Sequence, residues 1–261
     1  MLSATQLLHL EGESIFQQTL DTQVLRVFEN AQYRWFTLGG NAVQAIMAKA
    51  QPQTTLLAIP QALMIFLLWQ PKTSRILNLG LGAGGLERAL HHYHTFDITA
   101  IEQQAEIITM AKNYFNLPAR VAAINDNAES FLAHTKNTFD IILSDIYQQE
   151  QSPSTLFEQA FYVNIAKKLT PTGCALVSIN INDQQLTSLL TILRSLHLHV
   201  SLIDFNDYKN IIVVISKLPL PDKIQLIRLN QQHIKSLNID FSSAIEHMHT
   251  LPEVKPFIDQ Q

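Results

Sequence analysis

Ile76-Leu77-Asn78-Leu79-Gly80-Leu81-Gly82-Ala83-Gly84-Gly85 is the stretch that decides the fold, because it joins a short apolar run to a helical pattern beginning near Leu86. An apolar run, clustered glycines and a helix predict a strand, a tight turn and a helix whose N-terminus faces a ligand. Glycine is needed there because a ligand approaches the backbone more closely than a Cβ would allow. The stretch therefore predicts a nucleotide- or nucleoside-binding loop in which Gly80, Gly82 and Gly84 lie against the ligand.

The sequence after this loop predicts the sheet. Short apolar runs alternate with helical lengths, as in successive βαβ units. The predicted strands are 75–79, 98–101, 120–124, 140–143, 175–179, 200–205 and 211–216, and the predicted helices are 86–92, 105–115, 128–134, 156–169 and 183–196. The connection 206–210 is too short for a parallel crossover, so the last strand should be antiparallel. We predict a doubly wound, mostly parallel, seven-stranded α/β sheet of the class I methyltransferase-like Rossmann type.

The flanking segments predict smaller units. The runs 24–28 and 33–38 are rich in apolar and aromatic residues and predict a β-hairpin. The segments 42–49 and 61–69 have helical composition, with Pro52 and Pro60 as breakers. We therefore predict a β-rich region at 1–60, a nucleoside-binding Rossmann-like domain at 61–218 and a helical tail at 219–261.

Acidic residues follow three of the predicted strands. Glu102 ends the second strand, Asp126-Asn127 follows the third, and Asp145 follows the fourth. Ligands of open α/β sheets bind outside the carboxyl ends of the strands, so these groups and the glycine loop should line one crevice. A carboxylate about twenty residues after the loop can accept hydrogen bonds from both ribose hydroxyls. Ser178, near the end of the fifth strand, either lines the same crevice or only ends the strand.

Composition limits the remaining functions. The net charge of −4, without any run of Lys or Arg, argues against nucleic acid as a partner. The single cysteine, Cys174, excludes an internal disulfide and a CxxC metal site. His91, His92 and His94 lack acidic or cysteine partners at ligand spacing, so we assign no metal site. The sequence contains no signal-peptide pattern and no apolar stretch of membrane-spanning length, so we expect a cytoplasmic protein with no membrane contact.

Several blocks, taken in order, resemble the spermidine synthases, the polyamine aminopropyltransferases. The blocks are 34–71, the glycine loop, Ala100-Ile101-Glu102, Asp126-Asn127-Ala128-Glu129-Ser130-Phe131-Leu132, Phe139-Asp140-Ile141-Ile142-Leu143-Ser144-Asp145 and Phe161-Tyr162. The resemblance implies transfer of an aminopropyl group from decarboxylated S-adenosylmethionine to an amine acceptor. It also implies a co-substrate rather than a permanently bound cofactor, and it suggests a homodimer.

The resemblance assigns roles to individual residues. Asp145 matches the acid that deprotonates or aligns the attacking amine, and Gln44 matches a glutamine that contacts the nucleoside donor. Glu102 matches the ribose acid. Asp126 and Asn127 fall where the family places an acid near the adenine amino group.

Two departures from the family pattern keep other functions open. Gln148 stands where the family has a second acid, and Ile59-Pro60-Gln61-Ala62-Leu63-Met64 is largely apolar where the family offers a tyrosine and polar groups to the acceptor. The alternatives are a methyltransferase that uses S-adenosylmethionine itself, and a non-catalytic nucleoside-binding protein with the same fold. The donor's α-carboxylate distinguishes the two enzymes, because a methyltransferase must accommodate it.

Overall fold

The computed structural model describes residues 1–70, 75–146, 152–196, 198–205 and 209–252. It contains two sheets, one of four strands and one of eight. The first elements are α1 (Ala4–Leu8), β1 (Glu13–Thr19), β2 (Val24–Glu29), β3 (Tyr33–Leu38) and β4 (Val43–Ala48). The four strands pair consecutively and antiparallel. β2 and β3 are the predicted hairpin, which is confirmed as the centre of a four-stranded sheet.

The helix predicted at 42–49 is wrong, because this segment forms β4. Its residues pair with β3, from Val43 opposite Thr37 to Ala48 opposite Tyr33. Ile46 and Met47 are buried by this arrangement. Alanine, glutamine and methionine favour helices in isolation, but pairing and burial in a sheet outweigh that weak preference.

The helical segment predicted at 61–69 is present in a different form. It consists of α2 (Ala58–Leu63) and a 3₁₀ helix at Ile65–Leu68. Pro60 does not precede the helix but is its third residue. Proline is tolerated there because the first backbone N–H groups of a helix have no intrahelical acceptor.

The larger sheet follows the predicted alternation of strands and helices. Its elements begin with β5 (Arg75–Leu79), α3 (Gly85–Tyr93), β6 (Asp97–Glu102), α4 (Ala105–Tyr114), β7 (Ala122–Asn125), α5 (Ala128–His134) and β8 (Phe139–Ser144). They continue with a 3₁₀ helix (Ser154–Phe157), α6 (Gln159–Lys168), β9 (Leu169–Asn180), α7 (Asp183–Ser195), β10 (His199–Ile203) and β11 (Asn210–Ser216). The predicted helix 156–169 is thus divided between a 3₁₀ turn and α6.

Strand order confirms the predicted fold class. The last elements are α8 (Lys223–Leu237), α9 (Ser242–Glu246) and β12 (Met248–Thr250), and the sheet order is β12-β10-β11-β9-β8-β5-β6-β7. Strands β5 to β9 are mutually parallel, and β11 is antiparallel to β9. The sheet has eight described strands rather than seven, because β12 from the tail predicted to be helical pairs with β10. The division into regions 1–60, 61–218 and 219–261 remains a prediction.

Side chains of alternate residues on the strands pack on opposite faces of this sheet. Ile76 and Ile141 belong to a cluster with α2, α3, α8 and α9, while Leu77 and Ile142 belong to a cluster with α5, α6 and α7. Helices therefore cover both faces, as in a doubly wound fold. Among the described residues, no helix combines the length and the apolar character that crossing a bilayer requires.

The smaller sheet packs beside the glycine loop. Phe36 and Met47 share a buried cluster with Ala83 of the loop and with Phe115 after α4. The Arg34 guanidinium donates to the Tyr114 carbonyl oxygen at 2.5 Å. The N-terminal sheet and the half of the large sheet that carries the glycine loop are thus joined by apolar packing and a charged hydrogen bond.

Candidate active site

The glycine loop lies between β5 and α3, as predicted. Gly80 has φ +96°, and a Cβ there would lie 2.9 Å from the carbonyl oxygen of Asp145. Gly82 has φ +51°, and among the described residues no atom lies within 4 Å of where its Cβ would be. Gly84 is the left-handed N-cap of α3. The first glycine therefore permits close packing of two strand ends, and the second leaves the backbone open to a ligand.

Glu102 is held against the loop at the end of β6. Its two carboxylate oxygens accept hydrogen bonds from the backbone N–H groups of Gly82, at 3.2 Å, and Gln104, at 3.1 Å. Burial raises the pKa of Glu102, and these backbone hydrogen bonds act in the opposite direction. Each oxygen can accept one further donor, so the oriented carboxylate can receive a pair of neighbouring hydroxyl groups.

Asp126 and Asn127 follow β7 but have different surroundings. The Asp126 backbone N–H donates to the Glu102 carbonyl oxygen at 3.1 Å, which places the two strand ends side by side. Asn127 is the N-cap of α5, and its side-chain oxygen accepts from the backbone N–H groups of Glu129 and Ser130. That oxygen is committed to the helix, so Asp126 is the better acceptor for a ligand amino group.

Asp145 follows β8, beside the start of the glycine loop. Its backbone N–H donates to the Leu79 carbonyl oxygen at 3.1 Å. Burial raises the pKa of the Asp145 carboxyl, and a hydrogen bond from the Ser178 hydroxyl acts in the opposite direction. Ser178 in turn accepts from the Asn210 side-chain amide at 3.3 Å. Asp145 is half-buried, and a carboxylate with a raised pKa in such a place is a base that can accept a proton from a nearby amine.

Gln44 lies on β4, the edge strand of the small sheet that pairs with β3. Its side-chain amide makes a local hydrogen bond to the Ala42 carbonyl oxygen at 3.5 Å. The same strand contributes Met47 to the cluster that contains Ala83 of the glycine loop. The structure thus places β4 beside the loop, and a contact between Gln44 and the donor remains a prediction.

Arg88 holds the backbone around the glycine loop in place. This residue was not singled out from the sequence. Its guanidinium donates to the carbonyl oxygens of Ala83 at 2.5 Å, Phe115 at 2.6 Å and Pro52 at 2.9 Å. The side chain is buried, and burial lowers its pKa to about 10, so the group is still charged at neutral pH. One cation therefore ties together the glycine loop, the end of α4 and the segment after the small sheet.

Comparison with known proteins establishes the family. The spermine/spermidine synthase domain matches residues 63–215, which is more than half of the 261 residues. The chain belongs to the spermine/spermidine synthase family. The matched region runs from the end of α2 to β11 and contains the glycine loop and all three strand-end acids, whereas Gln44 precedes it.

Curated relatives cover part of this region. A polyamine aminopropyltransferase of Chromobacterium violaceum is 25% identical over 153 residues, which is 57% of this chain and 59% of that protein. A probable polyamine aminopropyl transferase of Bifidobacterium longum is 31% identical over 111 residues, 42% of this chain and 25% of that protein. This chain therefore covers less than two thirds of the length of either relative.

Solved structures of spermidine synthases share the fold. A probable spermidine synthase from Corynebacterium glutamicum has a TM-score of 0.76 at 16% identity, covering 91% of this chain and 90% of that chain. The Thermotoga maritima spermidine synthase has a TM-score of 0.65 at 17% identity, covering 92% and 84%. Human methyltransferase-like protein 13 has a TM-score of 0.58 at 20% identity, covering 69% and 88%. These likenesses agree with the predicted methyltransferase-like architecture.

The structure explains one of the two departures from the spermidine synthase pattern. In the segment 59–64, Leu63 and Met64 are completely buried, and they belong to the core cluster on one face of the large sheet. Their apolar character therefore serves packing. Gln148, which replaces the second acid, and Glu150, its nearest acidic neighbour, lie outside the described residues.

Proposed function

We propose that this protein transfers an aminopropyl group from decarboxylated S-adenosylmethionine to an amine acceptor. The observation that carries the proposal is the position of Asp145. Its backbone N–H donates a hydrogen bond to the carbonyl oxygen of Leu79, the last residue of β5, and its own carbonyl oxygen packs against Gly80. A half-buried base is thus fixed relative to the loop that holds the donor, which is the alignment that a displacement reaction requires.

The donor half of the site uses the remaining strand ends. The Glu102 carboxylate accepts hydrogen bonds from the two ribose hydroxyls, and the backbone N–H groups of Gly82 and Gln104 keep it oriented. The glycine loop Gly80–Gly84 lies along the nucleoside, with its backbone open at Gly82. Asp126 accepts from the adenine amino group, Asn127 shapes the same turn by capping α5, and Gln44 reaches the donor from β4.

In the transfer step, the Asp145 carboxylate takes up the proton that the attacking amine loses. The acceptor nitrogen forms a bond to the carbon next to the sulfonium, and the carbon–sulfur bond breaks with its electrons moving to sulfur. Methylthioadenosine leaves, and the nitrogen passes its proton to the Asp145 carboxylate. Burial raises the pKa of Asp145, which makes it a stronger base than an exposed aspartate. The carboxylate also attracts the cationic donor and acceptor.

Ligand preference tests the proposal. Calorimetric titration should show that decarboxylated S-adenosylmethionine and methylthioadenosine bind more tightly than intact S-adenosylmethionine. The reason is that the α-carboxylate would lie on the carbon chain next to Asp145, where like charges repel. A mass-spectrometric screen of diamines and longer polyamines with the decarboxylated donor should then reveal an aminopropylated product. Tighter binding of the intact donor would favour methyl transfer, and binding without any product would favour a non-catalytic protein.

Glu102→Ala should weaken binding of methylthioadenosine by about 10²–10⁴-fold. Each hydrogen bond to a charged group contributes about 1.5–3 kcal/mol, and two such bonds to the ribose are lost. Isothermal titration calorimetry measures the effect directly. Glu129→Gln is a matched control, because Glu129 is an exposed acid near the same rim and should bind as the wild type does. Equal affinity of Glu102→Ala and wild type would refute the ribose role.

A further inference from the structure

A buried acid and a buried amide face each other beneath the glycine loop. Glu87 is the third residue of α3 and is 0% exposed, while Asn78 lies in β5 and is 1% exposed. The Asn78 amide nitrogen lies 2.6 Å from one carboxyl oxygen of Glu87 and 3.3 Å from the Gly80 carbonyl oxygen. The pair therefore connects the first turn of α3 to the first glycine of the loop.

Two atoms of this pair lack partners. Within the described part of the chain, the second carboxyl oxygen of Glu87 and the side-chain oxygen of Asn78 are buried without a hydrogen bond. Both are acceptors when Glu87 is ionised, so neither can satisfy the other. A proton on Glu87 turns its unpartnered oxygen into a donor, which is the kind of partner that the unpartnered Asn78 oxygen lacks. Buried polar atoms without partners are costly, which favours the protonated form.

We propose that Glu87 keeps its proton in the folded protein over a pH range in which an exposed glutamate is ionised, and that its neutral acid–amide pair with Asn78 positions the glycine loop through the Gly80 carbonyl. The nearby charges do not supply an alternative partner. The Arg88 guanidinium is engaged by the carbonyl oxygens of Ala83 and Phe115. Glu102, which faces the region from β6, is an acid of the same sign and raises the pKa of Glu87.

Protonation of Glu87 makes stability depend on pH in a defined direction. Burial raises the pKa of Glu87 from 4.5 to about 7, while hydrogen bonds from the Asn78 amide and from its own backbone N–H, together with the Arg88 charge, act in the opposite direction. The folded state therefore holds more protons than the unfolded state between these values. Stability from this group is fully present below pH 4.5 and is lost as the pH rises through about 7.

Glu87→Gln is the decisive variant, because a glutamine reproduces both hydrogen bonds of the protonated acid and cannot ionise. Unfolding in denaturant should show nearly equal stability of wild type and variant at pH 5. At pH 8 the wild type should be the less stable, with an unfolding constant raised about 100-fold relative to the variant. Glu129→Gln, an exposed site, should track the wild type at both values of pH.

A second readout uses no denaturant. ¹³C-labelled glutamate carboxyl signals should include one that titrates near pH 7 and disappears in Glu87→Gln. A signal that titrates near the ordinary value, or a variant less stable than wild type at pH 5, would overturn the proposal. Glu87→Leu removes both hydrogen bonds and should be less stable than Glu87→Gln at every pH; equal stability of these two variants would also overturn it.

The effect of Glu87 protonation on ligand binding by the glycine loop rests on the proposed function. Affinity for methylthioadenosine should fall in the wild type above about pH 7 and stay constant in Glu87→Gln over the same range. Unchanged wild-type affinity would refute the positioning role. Failure of both proteins to bind methylthioadenosine at any pH would instead count against the proposed donor, because the stability and NMR measurements report on Glu87 without a ligand.

Discussion

Asp145→Asn is expected to lower aminopropyl transfer by about 10²–10⁴-fold, the contribution that a general base makes in enzymes. Asparagine keeps the size of the side chain but cannot accept a proton from the amine. Methylthioadenosine release under saturating substrates measures the loss. Affinity for methylthioadenosine, which is uncharged, should be nearly unchanged in calorimetry because the proposed nucleoside contacts come from the loop, Glu102 and Asp126.

A control acid at the opposite edge of the sheet separates this effect from a change in overall charge. Asp97→Asn removes one negative charge at the exposed start of β6, away from the carboxyl ends of the strands. It should retain wild-type turnover. If Asp145→Asn also keeps wild-type turnover, the assigned role of Asp145 is wrong; if it loses donor binding as well, Asp145 has a structural role.

Arg88→Met is expected to destabilise the protein by about 2–4 kcal/mol, because buried carbonyl oxygens lose a charged donor. Methionine preserves much of the side-chain length, so the change tests the hydrogen bonds more than the packing. The free energy of unfolding in denaturant gives the magnitude. Methylthioadenosine affinity should fall as well, since the Ala83 carbonyl in the glycine loop is no longer held.

Arg194→Met provides the comparison for this variant. Arg194 is exposed in the last turn of α7, so its replacement should change stability by less than about 0.5 kcal/mol. Equal stabilities of Arg88→Met and Arg194→Met would show that the three hydrogen bonds of Arg88 contribute nothing net.

The fold was predictable from sequence where local pattern and topology agree. The run that ends at Gly80 and the short connection before the last predicted strand identify the sheet, since glycine turns and connection lengths act locally. The placement of Glu102 and Asp145 at one edge of the large sheet was predictable, because parallel strands bring their carboxyl ends to the same edge. The strand at 43–48 was not, because its helix-favouring residues form a strand only through pairing with β3.

The buried polar residues Arg88, Asn78 and Glu87 were harder to predict, since the burial and the hydrogen-bond partners of a side chain depend on the whole fold. Arg88 gave no motif, and its three acceptors come from separate segments. Asn78 and Glu87 did leave a signal. Asn78 lies between Leu77 and Leu79 in an apolar strand, and Glu87 lies beside Leu86 on the first turn of the following helix. Polar residues at such positions indicate a buried pair when the strand and helix are consecutive.

The short strand β12 protects one side of the large sheet. It pairs with β10, and the Leu251 backbone N–H donates to the Val200 carbonyl oxygen at 2.9 Å. An uncovered β10 would expose a row of backbone donors and acceptors, along which a second molecule can add a strand. β12 is itself the edge strand, but it has three residues where β10 has five. We therefore expect a truncation before Met248 to expose the longer edge and to favour aggregation even with every active-site residue intact.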